Sequence, residues 1–333
     1  MASAVAARVL VLGAALLVVF PTAVGAQAEL QMWLNPELGK QIPRADYRFT
    51  YYPDRKVDNQ DAHLGLSEHR VSLFVPLFQD TANEWGLSAK TRFQDIDTRA
   101  RFPEVGGRFP SELWDVGGTL SFRHKFDGGW IGGLALTAGS ESDEPFHSID
   151  EVYYRGLAML RVPQGERNAW IFTLTYASDE PIFGQHPLPM PGIAYVWVPS
   201  DRFNVVIGVP FSSIEFKPFD TLTLEAQYFP IRTVRARATW QIFQPLRAYA
   251  GFDWDHDKYY RADRDDKDDK IFYYEKRLTA GVRFDLRHVG FEVYGGWAFD
   301  RFYFEGDRYG NRHDNRIDVD DGPFIVGKVS VRF

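Results

Sequence analysis

From about Ala45 onward the apolar residues of this chain recur at every second position rather than every third or fourth. Thr221 to Phe243 shows this best. Leu222, Leu224, Ala226 and Tyr228 share one face, and Thr221, Thr223, Glu225 and Gln227 the other. After a turn at Phe229-Pro230-Ile231, Val234, Ala236, Ala238, Trp240 and Ile242 oppose Thr233, Arg235, Arg237, Thr239 and Gln241. A helix would scatter both sets around its circumference, whereas a strand separates them. The same alternation predicts strands near 44–53, 65–78, 84–96, 113–126, 129–140, 152–162, 168–178, 191–198, 202–209, 211–217, 221–230, 232–243, 246–260, 270–286, 289–304 and 322–333.

The connections between these strands alternate as well. Those at 54–64, 97–112, 141–151, 179–190, 261–269 and 305–321 are long. Those at 79–83, 127–128, 163–167, Gln244-Pro245 and Arg287-His288 are short, and 199–231 has short links on both sides. Short turns at one end and long loops at the other, with an even strand number, are the pattern of a bacterial outer-membrane barrel. The expected fold is therefore all-β: a closed antiparallel transmembrane β-barrel of about 16 strands, within a range of 12–16, with short periplasmic turns and long external loops. Fourteen strands result if both short pairs in 202–243 fuse.

The N-terminus adds a location. Arg8 supplies a positive flank, Val9 to Phe20 an apolar run, Pro21 a stop, and Val24-Gly25-Ala26 small residues before Gln27. That is the anatomy of a secretory signal peptide over 1–26. Its twelve apolar residues would reach about 18 Å as a helix, short of a hydrocarbon core of roughly 30 Å. No other stretch approaches 18 apolar residues. The division expected is signal peptide 1–26, a short periplasmic segment 27–43, and a barrel over 44–333 in the outer membrane. A length of 333 residues suits one large barrel. A net charge of -7 argues against a nucleic-acid binder, and the absence of cysteine excludes disulfides and thiol chemistry.

A soluble β-sandwich would also alternate. Against it stand the opposite charges on the polar faces and the aromatics gathered at strand ends: Tyr259, Tyr260, Phe272, Tyr273 and Tyr274, then Phe302, Tyr303 and Phe304. Amphipathic rings favour the membrane–water interface. The C-terminus is more specific. Val329, Val331 and Phe333 lie on one face and Lys328, Ser330 and Arg332 on the other. This ending resembles the terminal strand of bacterial outer-membrane proteins, and the resemblance implies that Val329, Val331 and Phe333 are the signal read by the barrel-assembly machinery. Val209-Pro210-Phe211, Tyr228-Phe229-Pro230, Ala250 to Trp254, Ile271 to Arg277 and Gly295 to Arg301 are similar to a bacterial outer-membrane β-barrel family of unknown function. That resemblance covers roughly 190–333 and implies fold and location, not activity.

Charges facing lipid would cost about 2–4 kcal/mol each for Arg or Lys at the midplane. The polar faces therefore predict a lumen-lining charge ladder of Glu225, Arg235, Arg237, Arg247, Asp253, Asp255, Glu275, Arg277, Arg283, Asp285, Glu292, Asp300, Lys328 and Arg332. Such a ladder can stiffen the wall or line a constriction for a hydrated solute. Glu225 is expected beside Arg235 and Arg237. The acidic runs Asp263 to Asp269 and Asp314 to Asp321 lack the bend Gly and closing Glu of a calcium loop and read as solvated external loops. The eight histidines have no metal-ligand spacing, so no metal and no cofactor is expected. His147-Ser148 and Ser67-Glu68-His69 are the only local Ser/His pairings, and neither suits a nucleophile and its base. The leading expectation is a porin-like passive or selective channel for small solutes and no enzyme. A plugged structural or loop-binding barrel comes second and a lipid-modifying enzyme third. Partners expected are outer-membrane lipids and lipopolysaccharide and the assembly machinery, and no nucleic acid.

Overall fold

The computed structural model describes residues 33–103, 108–179, 187–229 and 233–333. The expected signal peptide, 1–26, lies outside the described residues. Seventeen strands form a single sheet: β1 (Arg44–Lys56), β2 (His63–Gln79), β3 (Asn83–Thr98), β4 (Glu112–Lys125), β5 (Ile131–Ser142), β6 (Val152–Gln164), β7 (Asn168–Ala177), β8 (Met190–Ser200), β9 (Phe203–Val209), β10 (Ser212–Phe219), β11 (Leu222–Phe229), β12 (Thr233–Phe243), β13 (Leu246–Tyr259), β14 (Lys270–Asp285), β15 (Val289–Gly306), β16 (Arg316–Val319) and β17 (Gly322–Arg332). Each strand through β15 pairs antiparallel with the next, β15 pairs with both β16 and β17, and β1 pairs with both β2 and β17. Closure removes every sheet edge, as a strand structure in lipid requires.

Sixteen strands make the closed ring, and β16 continues the line of β17 upward. That continuation corrects one expectation, because 305–321 read as loop. Arg316-Ile317-Asp318-Val319 alternates like the other strands, and Ile317 and Val319 are buried in a core. Four residues among so many carboxylates give too short a period to stand out.

The outer face is apolar over the membrane-spanning part. Leu87, Leu136, Ile207, Leu278, Val293 and Ile325 all point outward and are exposed, as the lipid-facing positions of a barrel are. Trp85, Trp130, Trp170, Trp197 and Trp240 stand exposed near the short-turn end and form a girdle there. The aromatics expected to form the belt do something else. Tyr259, Tyr273 and Tyr303 are buried inside the barrel. Phe272, Tyr274, Phe302 and Phe304 stack on one another beneath Tyr309. These rings lie where β13–β15 rise past the apolar band, so they build a wall above the membrane instead of floating at its surface.

The wall is tall on one side and low on the other. β2, β3, β14 and β15 have 16–18 residues, whereas β9, β10 and β11 have only 7–8. Above the low strands the tall ones curl together. Tyr260, just past β13, donates its N–H to Glu141 O at 2.7 Å, and Asp143 donates to Tyr260 O at 3.2 Å. β5 and β13 are on opposite sides of the ring, so this contact pinches the mouth shut. Leu64, Leu66, Ile96, Leu113, Tyr273 and Tyr303 fill the space beneath, with Phe102 and Phe109 of the β3–β4 connection tucked among them. An apolar core thus closes the long-loop end.

The short-turn end has its own plug. The segment expected as periplasmic, in its described part 33–43, folds into the lumen. Trp33, only 2% exposed, lies so close to Gly133 that a Cβ there would collide with its ring. Asn35 O accepts from Arg123 at 3.0 Å, and Gly39 N donates to Glu84 at 2.6 Å.

Candidate functional site

The lumen has two unlike halves. Strands β5–β9 present Ala135, Met159, Ile171, Val196 and Val206 inward, and Trp33 and Phe211 pack against them. The opposite half, from β11 through β17 to β1, presents charges. A cavity of 530 Å³ lies against that half. Of the ladder predicted from sequence, it gathers Glu225, Arg235, Arg237, Asp253, Arg277, Arg283, Glu292, Lys328 and Arg332.

The ion pairs show which charges the wall itself uses. Arg235 reaches Asp253 at 3.3 Å and Asp255 at 3.1 Å. Arg277 holds Asp255 at 2.5 Å and Glu275 at 3.2 Å, and Glu275 also accepts from Tyr52 and Tyr273. Arg247 and Arg283 share Asp285 at 3.0 and 2.9 Å. Lys328 approaches Asp46 at 3.4 Å. Asp255, Glu275, Arg247 and Asp285 belong to these networks without lining the cavity.

One expected placement changes, and one expected ion pairing does not form. Asp300 does not face the lumen. Asp300 and Arg301 of β15 together stand against Glu275 alone, which interrupts the alternation, and Asp300 takes a left-handed φ of 52°. Its carboxylate turns outward to Lys276 at 2.6 Å. Glu225 faces Glu215 on β10 and Arg237 on β12, and among the described residues no cation comes within 4.0 Å of it. Arg235 and Arg237 turn instead toward β13 and β15. Arg237 lies 4.3 Å over the Tyr249 ring and 3.9 Å from Glu292, because the carboxylates on that side outnumber the lone Glu225.

β1 supplies what the sequence reading missed. Arg44, Asp46 and Arg48 line the same cavity, with Gln227, Tyr294 and Ser330. Their signal was visible as charges at period two on the first strand. With them the cavity carries eight cationic side chains and four carboxylates. Among the described residues neither Arg48 nor Arg332 has a carboxylate within 4.0 Å. A second network was also unread. Arg92 joins Glu68 at 2.6 Å to Asp257 at 2.5 Å, across the barrel. Arg155 joins Glu141 at 3.0 Å to Asp179 at 2.7 Å, and Lys258 reaches Asp179 at 2.6 Å.

No protein-family model matches the sequence, and no curated protein matches it. Solved structures do. An outer membrane channel from Pseudomonas putida F1 aligns over 90% of this chain and 98% of its own, at 10% identity and a TM-score of 0.37. A mutant of the Rh. blastica porin aligns over 88% and 99%, at 13% identity and 0.38. The P. putida toluene transporter TodX aligns over 89% and 91%, at 8% identity and 0.38. The barrel of this chain rests on its own strand pairing, not on those scores. The narrower resemblance of residues 190–333 to one barrel family gains no support from these comparisons.

The terminal residues and the Ser/His pairs complete the placement. β17 sits between β1 and β15, with Val329 opposite Tyr47 and Phe291, and Val331 opposite Ala45 and Val289. Phe333 is 72% exposed and donates its N–H to Pro43 O at 3.1 Å. His69 is bonded to Tyr47 Oη at 2.8 Å. His147 pairs with Glu144 at 3.0 Å, and Ser148 Oγ donates to Glu151 at 3.0 Å.

Proposed function

We propose that this barrel is a narrow, selective transport protein for small anionic solutes, closed at its long-loop end in the state described. The excess of cations around the lumenal cavity carries this reading. A guanidinium without a carboxylate partner in a confined space needs water or an anion to replace its hydration. Arg48 holds that position, half-buried beside Tyr294, and Arg332 stands exposed where the cavity opens, while most other members of the ladder neutralise one another and stiffen the wall.

Planar-bilayer recording across a potassium chloride gradient tests it. The expected result is a small conductance with a reversal potential on the anion side. Glu225→Gln removes a carboxylate that pairs with no cation among the described residues and should move that potential further toward anions, and Arg48→Gln should move it back. A cation preference in the native protein would overturn the proposal. An absence of any conductance would favour the plugged structural barrel, the reading supported by the apolar core at the long-loop end.

The partners follow from the surface. The exposed apolar face and its tryptophan girdle suit outer-membrane lipid, with lipopolysaccharide at the long-loop side. The terminal strand is inferred to be the element that the assembly machinery reads, through Val329, Val331 and Phe333.

A further inference from the structure

The seams between neighbouring strands are unequal. β13 and β14 stay in register from Leu246 to Tyr259. β9 and β10 pair over four residues only, Phe203–Val206 with Ser213–Phe216. This is the shortest of the sixteen seams that close the barrel, among the described residues. It lies in the lowest part of the wall. An eight-residue strand runs about 26 Å, and at a tilt of about 40° it rises about 20 Å, less than an apolar band of about 25 Å. The wall there ends inside the lipid.

The outer face of this low seam is apolar, and its inner face is apolar at the upper end, above Asn204 and the Glu215–Lys217 pair. Ile207 and Val209 point outward and are exposed. Val206 points inward and is buried with Phe211. Phe211 meets Phe229 at the end of β11, with ring centroids 4.7 Å apart. Two residues back along β11, Gln227 already lines the cation-rich cavity. Over the upper end of the seam an apolar path therefore runs from lipid, past one pair of rings, to a cavity with surplus positive charge, with the Glu215–Lys217 pair left below it.

We propose that the β9–β10 seam, shut by the Phe211–Phe229 pair, is a lateral doorway between the membrane and the lumen, and that it passes an amphipathic anion: an anionic head group on a single apolar chain. The inference rests on the anion reading of the cavity and names its substrate class. The head exchanges its water for Arg48 and its neighbours, while the chain stays on the apolar half of the lumen or in lipid. No charge then has to cross hydrocarbon unaccompanied.

The chain has no cysteine, so one disulfide can be introduced without competitors. Val206 and Ser213 are register partners, a geometry that suits a disulfide. The Val206→Cys/Ser213→Cys protein in liposomes is irradiated with a diazirine-bearing sixteen-carbon carboxylate, oxidised and reduced, and the labelled residues are mapped by mass spectrometry. Reduced protein should be labelled on the inner face, at Gln227 and Phe229. Oxidation should lower that inner labelling at least tenfold and leave labelling of Ile207 and Val209 unchanged. Phe229→Ala, which opens the ring pair without touching the seam, should raise inner labelling severalfold at Gln227. Equal inner labelling with the seam locked or free, or none in either state, overturns the doorway. Reversal potentials with inorganic phosphate as the sole anion separate the two readings. An anion preference without inner labelling removes the doorway and keeps the channel, and loss of both removes both.

Discussion

Arg92 shows how much one side chain can decide. It is buried, and its guanidinium joins Glu68 on the neighbouring strand to Asp257 on the far wall. Gln94 adds a bond to Glu68 at 3.1 Å. Arg92→Ala would leave Asp257 without this cation and Glu68 with Arg70 at 3.3 Å, a loss of at most about 3–5 kcal/mol for a buried pair broken on one side. The purified variant should unfold at clearly lower denaturant or temperature than the native barrel. If its midpoint is unchanged, the bridge across the lumen does not hold the walls together. The neighbouring charges need separate treatment at this scale, since Glu225 sits on the same face as its expected partners and still pairs with none of them. Alternation assigns a face, and side-chain reach then decides the partner.

Single elements carry signals of different strength. The short turn between β2 and β3 is held by Asp80, whose carboxylate accepts from Ala82 N at 2.7 Å and Asn83 N at 2.6 Å. These N–H groups favour the ionised form and lower the Asp80 pKa from its ordinary value. A lowered folded pKa means stabilisation that is present above the unfolded value near pH 4 and disappears as the pH falls through the folded one. Asp80→Ala should thus speed amide exchange at residues 82–84 near neutral pH, and the gap from native protein should close as the pH falls through the lowered folded value. A gap that persists in acid would assign the effect to something other than this carboxylate. Strand positions were legible throughout, because each of the sixteen strands of the ring carries its own period of two. Strand β16 was not, since four alternating residues inside an acidic run look like loop. Nor was the fold of 33–43 into the lumen, because Trp33 alone has no period and its pocket is made by strands a hundred residues away.

At the scale of the whole molecule, closure is the property to test. A closed barrel should fractionate with outer membrane and migrate faster on gels before heating than after. Removing Phe333, the exposed residue just past β17, which joins β1 to β15, should lower the folded fraction in cells and leave any barrel that does form heat-modifiable. Full assembly without it would show that β17 suffices. The alternation of apolar and polar residues, the even count of long strands and the alternating loop lengths were properties of the sequence by itself. So was the rule that charges avoid lipid, because a side chain's face on a strand follows from its position alone. What only the tertiary structure decided is what happens between strands far apart in the chain. The pinch of β13 onto β5, the two plugs, the bridge through Arg92 and the low seam at β9–β10 all depend on which walls meet across the lumen. Period two says which way a residue points, and the curvature and unequal heights of the closed sheet say what it meets there.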